Sequence, residues 1–561
     1  MKTLIHKKEI IIFIFFISIY FYGFFEGIYL VDDWTIYSIS NLDFISSFKA
    51  IHPSFYNRPL LALFFAIDSQ FFAHSFKLQY SLNILILGSS SLIILSSLKD
   101  YFKNSLIKFF ALIFLFFPIF SYTNILSPGM QISGNLSILL WSLSFYFLKK
   151  YLNNSNILNY FISSIFLYLL IITYESALPL VGMNIAFLIF DKNKFKKIIL
   201  DLSILFFFIL FGFLSQSLLL PDGSDVSRFR IDNFSVSHII QNFFLNLFLL
   251  INSFFSFLDL IIIILKKNLI NLFLLLSISF LIFKYFRVKI YHRDLQKKKI
   301  LISFIISTFL LILMHVASES KIFFFGYGNR SLASLSVILT LLLILVSENI
   351  HKNKIIKFLY IMFFSLIPLL IINLQFENYN FAKNIQYKIS YAEKIILENT
   401  NQKLLHNREQ ITYIYLDEFK SNEYYKITYD IENFDLRRLS KSLNENFRGF
   451  DLNPHKVCQK ITWDLFYLDY ILRSTQNSKV IYLIKNEKFK KRKGFSSEII
   501  SEIRSTYNCN IFKSEYTNKV TYLLKKFFNN ESSNIQNARI ELQKNLILTF
   551  FINSIYAIFS K

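Results

Sequence analysis

Apolar runs of roughly 17 to 25 residues recur from Ile10 to about Leu374, parted by short polar loops, and each is long enough to cross a hydrocarbon core of about 30 Å as a helix. The first run, residues 9–30, follows Lys2, His6, Lys7 and Lys8 and has no small-residue cleavage site. It is expected to be an uncleaved span with a cytoplasmic N-terminus. Residues 31–77 then lie outside, and the run 78–98 returns the chain to Lys99, Lys103 and Lys108. Runs at 106–122, 132–148, 158–173 and 177–190 place Lys149 and Lys150, then Lys192, Lys194, Lys196 and Lys197, on the same inner side. Each step obeys the preference of Lys and Arg for cytoplasmic loops.

The run 198–220 delivers the polar loop 221–237 to the outside, where parity demands a choice. Residues 238–265 and 268–283 are both apolar, yet the basic stretch 284–299 belongs inside, so only one net crossing is allowed. Residues 238–265 are therefore expected to be interfacial, re-entrant or packed sideways, with Lys266 and Lys267 near the outer surface. Runs at 300–316, 331–346 and 355–374 alternate again, with His351, Lys352 and Lys354 inside, which gives about 11 spans and an exit to the outside.

From residue 375 the chain turns polar and charged. Apolar, β-branched and aromatic runs at 411–416 (ITYIYL), 480–484 (VIYLI) and 520–524 (VTYLL) predict buried strands, with helical patterns near 391–401 and 495–507. The expected architecture is an α-helical polytopic membrane domain, residues 1–374, followed by a C-terminal extracytoplasmic α/β domain, residues 375–561. The apolar tail 546–559 is too short for a comfortable span and is expected to be a packed or interfacial helix.

Composition agrees: 54% of residues are hydrophobic and 17% charged, where a soluble protein carries about 25% charged. A soluble enzyme, a nucleic-acid-binding module and a disordered chain are excluded for the apolar part. The net charge of +23 sits in short loops as orientation information, and the 68 Phe and 32 Tyr beside 12 Gly mark a bias of the whole chain. Cys458 and Cys509 both lie in the polar part, which excludes cysteine metal clusters and haem attachment and leaves one disulfide open.

The richest chemistry follows the first span: Asp32-Asp33-Trp34, then Tyr56-Asn57-Arg58-Pro59-Leu60, then Asn83 early in the next span. Adjacent carboxylates at a membrane surface repel one another and lose hydration, which raises the pKa of one toward a value suited to taking a proton from a sugar hydroxyl. A polar helix end with Trp34 as an interfacial anchor fits the same residues. Glu175, between 158–173 and 177–190, is costly amid hydrocarbon unless it faces a cavity or a partner, although a helix cap at Ser176 is also open. A third marker is the outer loop with Glu319, Lys321 and Gly326-Tyr327-Gly328-Asn329-Arg330, where two glycines admit a ligand near the backbone and Arg330 can fork onto a phosphate. A tight turn with a snorkelling Arg fits it too.

Together these residues resemble the GT-C superfamily, multispan glycosyltransferases that take a sugar from a polyprenyl-phosphate carrier on the extracytoplasmic face. The pattern of an Asp pair, then Tyr-Asn-Arg-Pro-Leu, then Asn83 is most similar to the branch that includes tetratricopeptide-bearing O-mannosyltransferases. Asn57 is one residue inserted into the usual Tyr-Arg-Pro-Leu, and the tetratricopeptide repeats are missing, so protein O-mannosylation does not carry over. The resemblance covers roughly residues 9–98 well and the later spans only by layout. It implies Asp32 or Asp33 as general base, Arg330, Lys321 and Arg58 on the donor phosphate, and Glu175, Trp34, Tyr56, Glu319, Tyr327 and Asn329 lining the site. The implied partners are a polyprenyl-phosphate-linked sugar, a glycan, lipid or protein acceptor, and the bilayer of a bacterial inner membrane. An Asp-rich outer loop permits Mg²⁺ or Mn²⁺, and the metal stays open.

Rival readings are a lipid-linked glycan polymerase, a flippase or transporter, and a non-catalytic envelope-assembly protein. A transporter predicts charges spread through the midplane, whereas here they gather at the outer ends of spans. His74, His238 and His315 stand without ligand spacing, and zinc-protease, serine-hydrolase and nucleotide-binding motifs are missing. Lys297, Lys298 and Lys299 are expected to be a cytoplasmic topology signal.

Overall fold

The computed structural model describes residues 42–72, 75–102, 105–116, 128–191, 195–218, 239–240, 242–251, 294–317, 322 and 332–347, the single positions 273 and 277, and four strands between 412 and 493. The chain divides into two compact units, Met1–Gly27 with Ile39–Asn378, and Ile28–Ser38 with Tyr379–Lys561.

The described part of the first unit is helical. In chain order it contains α1 (Phe44–Ile51), α2 (Pro59–Phe71), α3 (Phe76–Ser97), α4 (Ser105–Phe116), α5 (Pro128–Asn154), α6 (Ile157–Ile171), α7 (Val181–Asp191), α8 (Phe195–Leu218), α9 (Asn242–Ile251), α10 (Asp294–Ala317) and α11 (Leu335–Ser347). Among the described residues, three segments are long and apolar enough to cross a membrane: Lys77–Ser97 in α3, Lys197–Gln216 in α8 and Lys298–Ala317 in α10. Helix α2, with 13 residues, is about 20 Å long and too short to cross.

Helix α5 spans 27 residues and runs through the packing centre, against α3 on one side and α6 on the other. Its mid-helix polar side chains Ser133, Asn135, Ser137, Ser142 and Ser144 are buried. Asn135 Nδ2 donates to Asn83 Oδ1 of α3 at 2.5 Å, Ser144 meets Ser163 of α6, and Trp141 Nε1 donates to Leu180 O and to Asn184 Oδ1 of α7. Where hydrocarbon offers no driving force between helices, such bonds, each worth roughly 0.6–1.7 kcal/mol, specify which faces meet. The α5–α6 corner closes tightly because Ser155 adopts a left-handed backbone (φ 55°) just past the end of α5 and the Asn156 side chain caps the Leu158 N–H of α6.

Helix α8 shows the converse pattern. Phe206, Phe207, Leu210, Phe211 and Leu214 are exposed, the face a lipid-contacting helix presents, while Asp201, Leu205, Gly212 and Gln216 turn inward. Gln216 Nε2 donates to Ile171 O, satisfying a carbonyl that the end of α6 leaves open. At the other end of α8, the hydroxyls of Tyr151 and Tyr160 converge on Asp201, on its carboxylate and its main-chain oxygen respectively. Helices α7 and α10 cross at Gly182, where a Cβ would lie 2.8 Å from Ile306 Cγ2 and 2.9 Å from the Ser307 nitrogen.

Two boundaries depart from the sequence reading. The expected span 177–190 opens as a 3₁₀ turn, Glu175–Leu180, because Pro179 cannot donate within an α-helix, and only Val181–Asp191 is α-helical. The basic stretch 284–299 is not all loop: α10 begins at Asp294 and carries Lys299 into a buried position. Residues 242–251 of the ambiguous segment form α9, with Leu245, Leu249 and Leu250 buried. The expected spans 9–30 and 355–374, and 268–283 apart from positions 273 and 277, lie outside the described residues.

In the second unit, the described strands form one sheet in the order β2-β1-β3-β4, with β1 (Thr412–Leu416), β2 (Phe447–Phe450), β3 (Lys479–Leu483) and β4 (Phe489–Lys493). Strand β1 pairs in parallel with β2 (Thr412 opposite Phe447) and with β3 (Thr412 opposite Lys479), while β4 returns antiparallel on β3. Strands β1 and β3 fall on the expected runs 411–416 and 480–484. The run 520–524, the helical patterns 391–401 and 495–507 and the tail 546–559 lie outside the described residues, as do Cys458 and Cys509.

Candidate functional site

The Tyr56-Asn57-Arg58-Pro59-Leu60 segment builds a turn that ends in a helix start. Pro59 occupies the first helical position of α2, where its missing N–H is not needed, and its ring keeps Arg58 out of the right-handed helical region (φ −135°, ψ 59°). The turn is closed by Arg58 N–H donating to Phe55 O at 2.7 Å. It is packed by the edge-on contact of Tyr56 with His52 and of Phe55 with Phe65. Asn57 is buried.

The Arg58 side chain is thereby aimed at the turn after α6. Thr173 Oγ1 bonds back to Leu169 O, Tyr174 takes an extended backbone, and Glu175 opens the 3₁₀ turn, whose Ser176 hydroxyl meets Ser137 of α5 at 2.7 Å. Arg58 Nη2 donates to Glu175 Oε1 at 2.5 Å, and the Arg58 Cζ stands 4.3 Å from the centre of the Tyr174 ring. The two side chains are 11% and 25% exposed. A guanidinium held by a carboxylate at one fork and by an aromatic face below is fixed in orientation. Its Nε is buried and, among the described residues, has no hydrogen-bond acceptor. An unmet donor on a cation carries a desolvation cost that an anionic ligand would remove.

Of the residues singled out by sequence, Arg58 and Glu175 are brought into direct contact across 117 positions of chain, and Tyr56 belongs to the same turn. Asp32, Asp33, Trp34, Glu319, Lys321, Tyr327, Asn329 and Arg330 lie outside the described residues. Between Lys321 and Tyr327, the Ile322 N–H is held by Asn246 Oδ1 of α9 at 3.0 Å. Among the described residues no three His, Cys, Asp or Glu side chains group as metal ligands.

Two carboxylates escaped the sequence reading. Asp201 is buried between α5, α6 and α8, as described above. Asp68 of α2 is fully buried and accepts from Gln79 Nε2 of α3 at 2.5 Å. Burial pushes its carboxyl up to about 7, against the lowering effect of the Gln79 bond. Asp68 Oδ1 and Gln79 Oε1 are both buried acceptors without a donor among the described residues. A proton on Oδ1 would supply a donor of the kind Gln79 Oε1 lacks, and with the Nε2–Oδ2 bond would complete a paired acid and amide. In sequence Asp68 stands in Ala66-Ile67-Asp68-Ser69-Gln70, where an acid on the buried face of an apolar helix was the available signal.

Compared with family models, with curated protein sequences and with solved structures, the chain matches none.

Proposed function

We propose that this chain is an integral-membrane glycosyltransferase that moves a sugar from a polyprenyl-phosphate carrier to a glycan, lipid or protein acceptor on the extracytoplasmic side. The reading rests on the motif resemblance of the first outer segment, and the observation that carries it furthest is the Arg58 site. The arginine of the Tyr-Asn-Arg-Pro-Leu motif is oriented by Glu175 and Tyr174 and keeps a buried N–H that is unmet among the described residues. That arrangement suits an anionic group that becomes more negative as the reaction proceeds, where a preorganised cation stabilises most. In this proposal Asp32 or Asp33 takes the acceptor hydroxyl's proton, the oxygen attacks the anomeric carbon, and polyprenyl phosphate departs with inverted configuration at the sugar. Arg58, with Arg330 and Lys321, stabilises the leaving phosphate. The proposed frame is about 11 spans in a bacterial inner membrane with an extracytoplasmic α/β domain that orients the acceptor.

The test is complementation of a deletion strain with wild type, Asp32→Asn, Asp33→Asn, Arg58→Ala or Arg330→Ala, scored by the mass of surface glycans and of lipid-linked intermediates. Wild type restoring a sugar that an expressed Asp variant does not, with accumulation of the carrier-linked sugar, supports transfer. Restoration of the wild-type profile by all four variants ends the proposal.

A further inference from the structure

Arg58 caps the start of α2, and Asp68 lies about 15 Å further along the axis of the same helix. Between them the inward face of α2 is Leu61, Ala62, Phe65 and Ala66. Apolar contacts are non-directional: they set how deeply such a face sits and do little to set its position along or around the axis. Hydrogen bonds supply the direction. At the start of α2 the tie is Arg58 Nη2 to Glu175 Oε1 at 2.5 Å, and near its end Gln79 Nε2 of α3 donates to Asp68 Oδ2 at 2.5 Å. Gln70 adds a link to α1, donating to Leu42 O at 2.6 Å and to Ser47 Oγ at 3.0 Å.

The two end ties of α2 belong to one closed path. One turn beyond Gln79 on α3, Asn83 Oδ1 accepts from Asn135 Nδ2 of α5 at 2.5 Å. On α5 the Ser137 hydroxyl meets that of Ser176 at 2.7 Å, and Ser176 follows Glu175, the residue that holds Arg58. The linking side chains on α3, α5 and the 3₁₀ turn are buried as far as Ser176, and Asp68 is buried with them. Helices α3 and α5 pack along one another and give the path a stiff frame. Where Asp68 is held on α3 therefore sets, through the rigid rod of α2, where the guanidinium arrives.

We propose that Asp68 and Gln79 are positioning residues for Arg58: their acid–amide pair holds α2 in the register at which the guanidinium meets Glu175 and lies over Tyr174. The proposal rests on the glycosyltransferase reading only for its effect on sugar transfer, and its structural part stands apart from it.

The experiment follows Arg58 itself. The full chain in a neutral detergent is treated at one pH with phenylglyoxal, which adds to guanidinium groups, and the rate at Arg58 is read by peptide mass spectrometry. Wild type should react slowly, and Glu175→Ala gives the rate of a guanidinium released from its partner. Asp68→Ala and Gln79→Met should each raise the rate roughly tenfold, toward that of Glu175→Ala, as expected when one buried tie is lost. Asp68→Asn should keep the wild-type protection, because its amide pairs with that of Gln79. Tyr160→Phe should keep it too, since the hydroxyl it removes bonds Asp201 O at the other end of α6. Sugar transfer in the complementation assay should follow the same order. Wild-type protection in both Asp68→Ala and Gln79→Met overturns the proposal, and so does equal exposure of Arg58 in Tyr160→Phe, the mark of general loosening. Loss of protection in Asp68→Asn overturns the acid–amide pair as the tie. If Asp68→Ala does not fold, Gln79→Met, close to glutamine in volume, decides. The expected protection pattern with unchanged surface glycans in every variant upholds the positioning role and counts against the transferase reading alone.

Discussion

Replacing Asp68 with Asn tests whether this buried carboxyl is neutral in the folded protein. Asp68 is fully buried on α2, its partner is the Gln79 amide at 2.5 Å, and two acceptor oxygens of the pair have no donor among the described residues. The ordinary value for the group is 3.8, and burial raises it to about 7 in the fold. Between those values the native state keeps a proton that the unfolded chain has released, so stability falls as pH rises through the window and is level above it. The full difference corresponds to about 4 kcal/mol, of which about 3 kcal/mol is lost between pH 5 and pH 8. Asn places a permanent amide donor where the acid needs a proton and has nothing to titrate. Thermal unfolding of the full chain in detergent at pH 5, 6, 7 and 8 should show wild type losing several degrees across the series while Asp68→Asn stays level in that interval apart from other groups, and exceeds wild type at pH 8. If both proteins follow the same pH curve, Asp68 is ionised in the fold and the acid–amide pairing is wrong.

Other consequences are equally direct. Arg58→Lys keeps the charge but loses the fork and the planar contact with Tyr174, so sugar transfer in the complementation assay should fall about 100-fold with expression retained. Glu175→Gln should destabilise the protein by about 2 kcal/mol in detergent unfolding, and the double variant with Arg58→Gln should cost less than the two separate losses added together, because the carboxylate and guanidinium are direct partners. Gly182→Ala places a methyl within 3 Å of Ile306 and of the Ser307 backbone of α10, and should lower stability by about 1–3 kcal/mol in the same assay. Asn135→Leu leaves the Asn83 oxygen without the amide that reaches it at 2.5 Å, and should cost roughly 1 kcal/mol.

Long apolar helices were legible because hydrocarbon imposes a length and an apolar composition on any span: the expected runs 78–98 and 198–220 match α3 and α8 within a few residues. Helix α5 was legible as a run but not as the packing centre. That depends on Asn135, Trp141 and Ser144 finding partners on other helices, and spacing in one segment does not name a partner. The same limit hid the function of Asp68 and Asp201. Each is a single acid in an apolar stretch, and what distinguishes them is Gln79 in one case and Tyr151 and Tyr160 in the other, far away in sequence. Arg58 and Glu175 were visible separately, one by the proline after it and the other by its cost in hydrocarbon. Their contact required the α6–α7 turn to meet the start of α2, a tertiary fact. The 3₁₀ opening of 175–180 was not legible: Pro179 is tolerated in the first turn of the expected helix 177–190, and only an α-helix starting at Glu175 would need its missing N–H.

Charge placement in the folded bundle gives one more prediction, on orientation. Lys99, Lys149, Lys150, Lys197, Lys298 and Lys299 belong to the end where α5 closes and α8 begins, as shown by Lys197 over Tyr151 and Lys149 over Tyr101 and Phe187. The opposite end is marked by Gln216 on Ile171 and by Glu175 on Arg58, an internally balanced pair. Orientation follows Lys and Arg near span ends, with acids contributing little, so the lysine-rich end should face the cytoplasm. Cysteine substitutions at Leu218, 84% exposed at one end, and at Asn153, exposed at the other, separate the two orientations in a background with Cys458 and Cys509 replaced by Ser. A membrane-impermeant maleimide applied to intact cells, or to spheroplasts where an outer membrane bars it, should label Leu218→Cys, and should reach Asn153→Cys only after the cytoplasmic membrane is opened. The reverse pattern would place Arg58 and Glu175 on the cytoplasmic side, where a carrier-linked sugar is made rather than spent, and would remove the basis for an extracytoplasmic transferase.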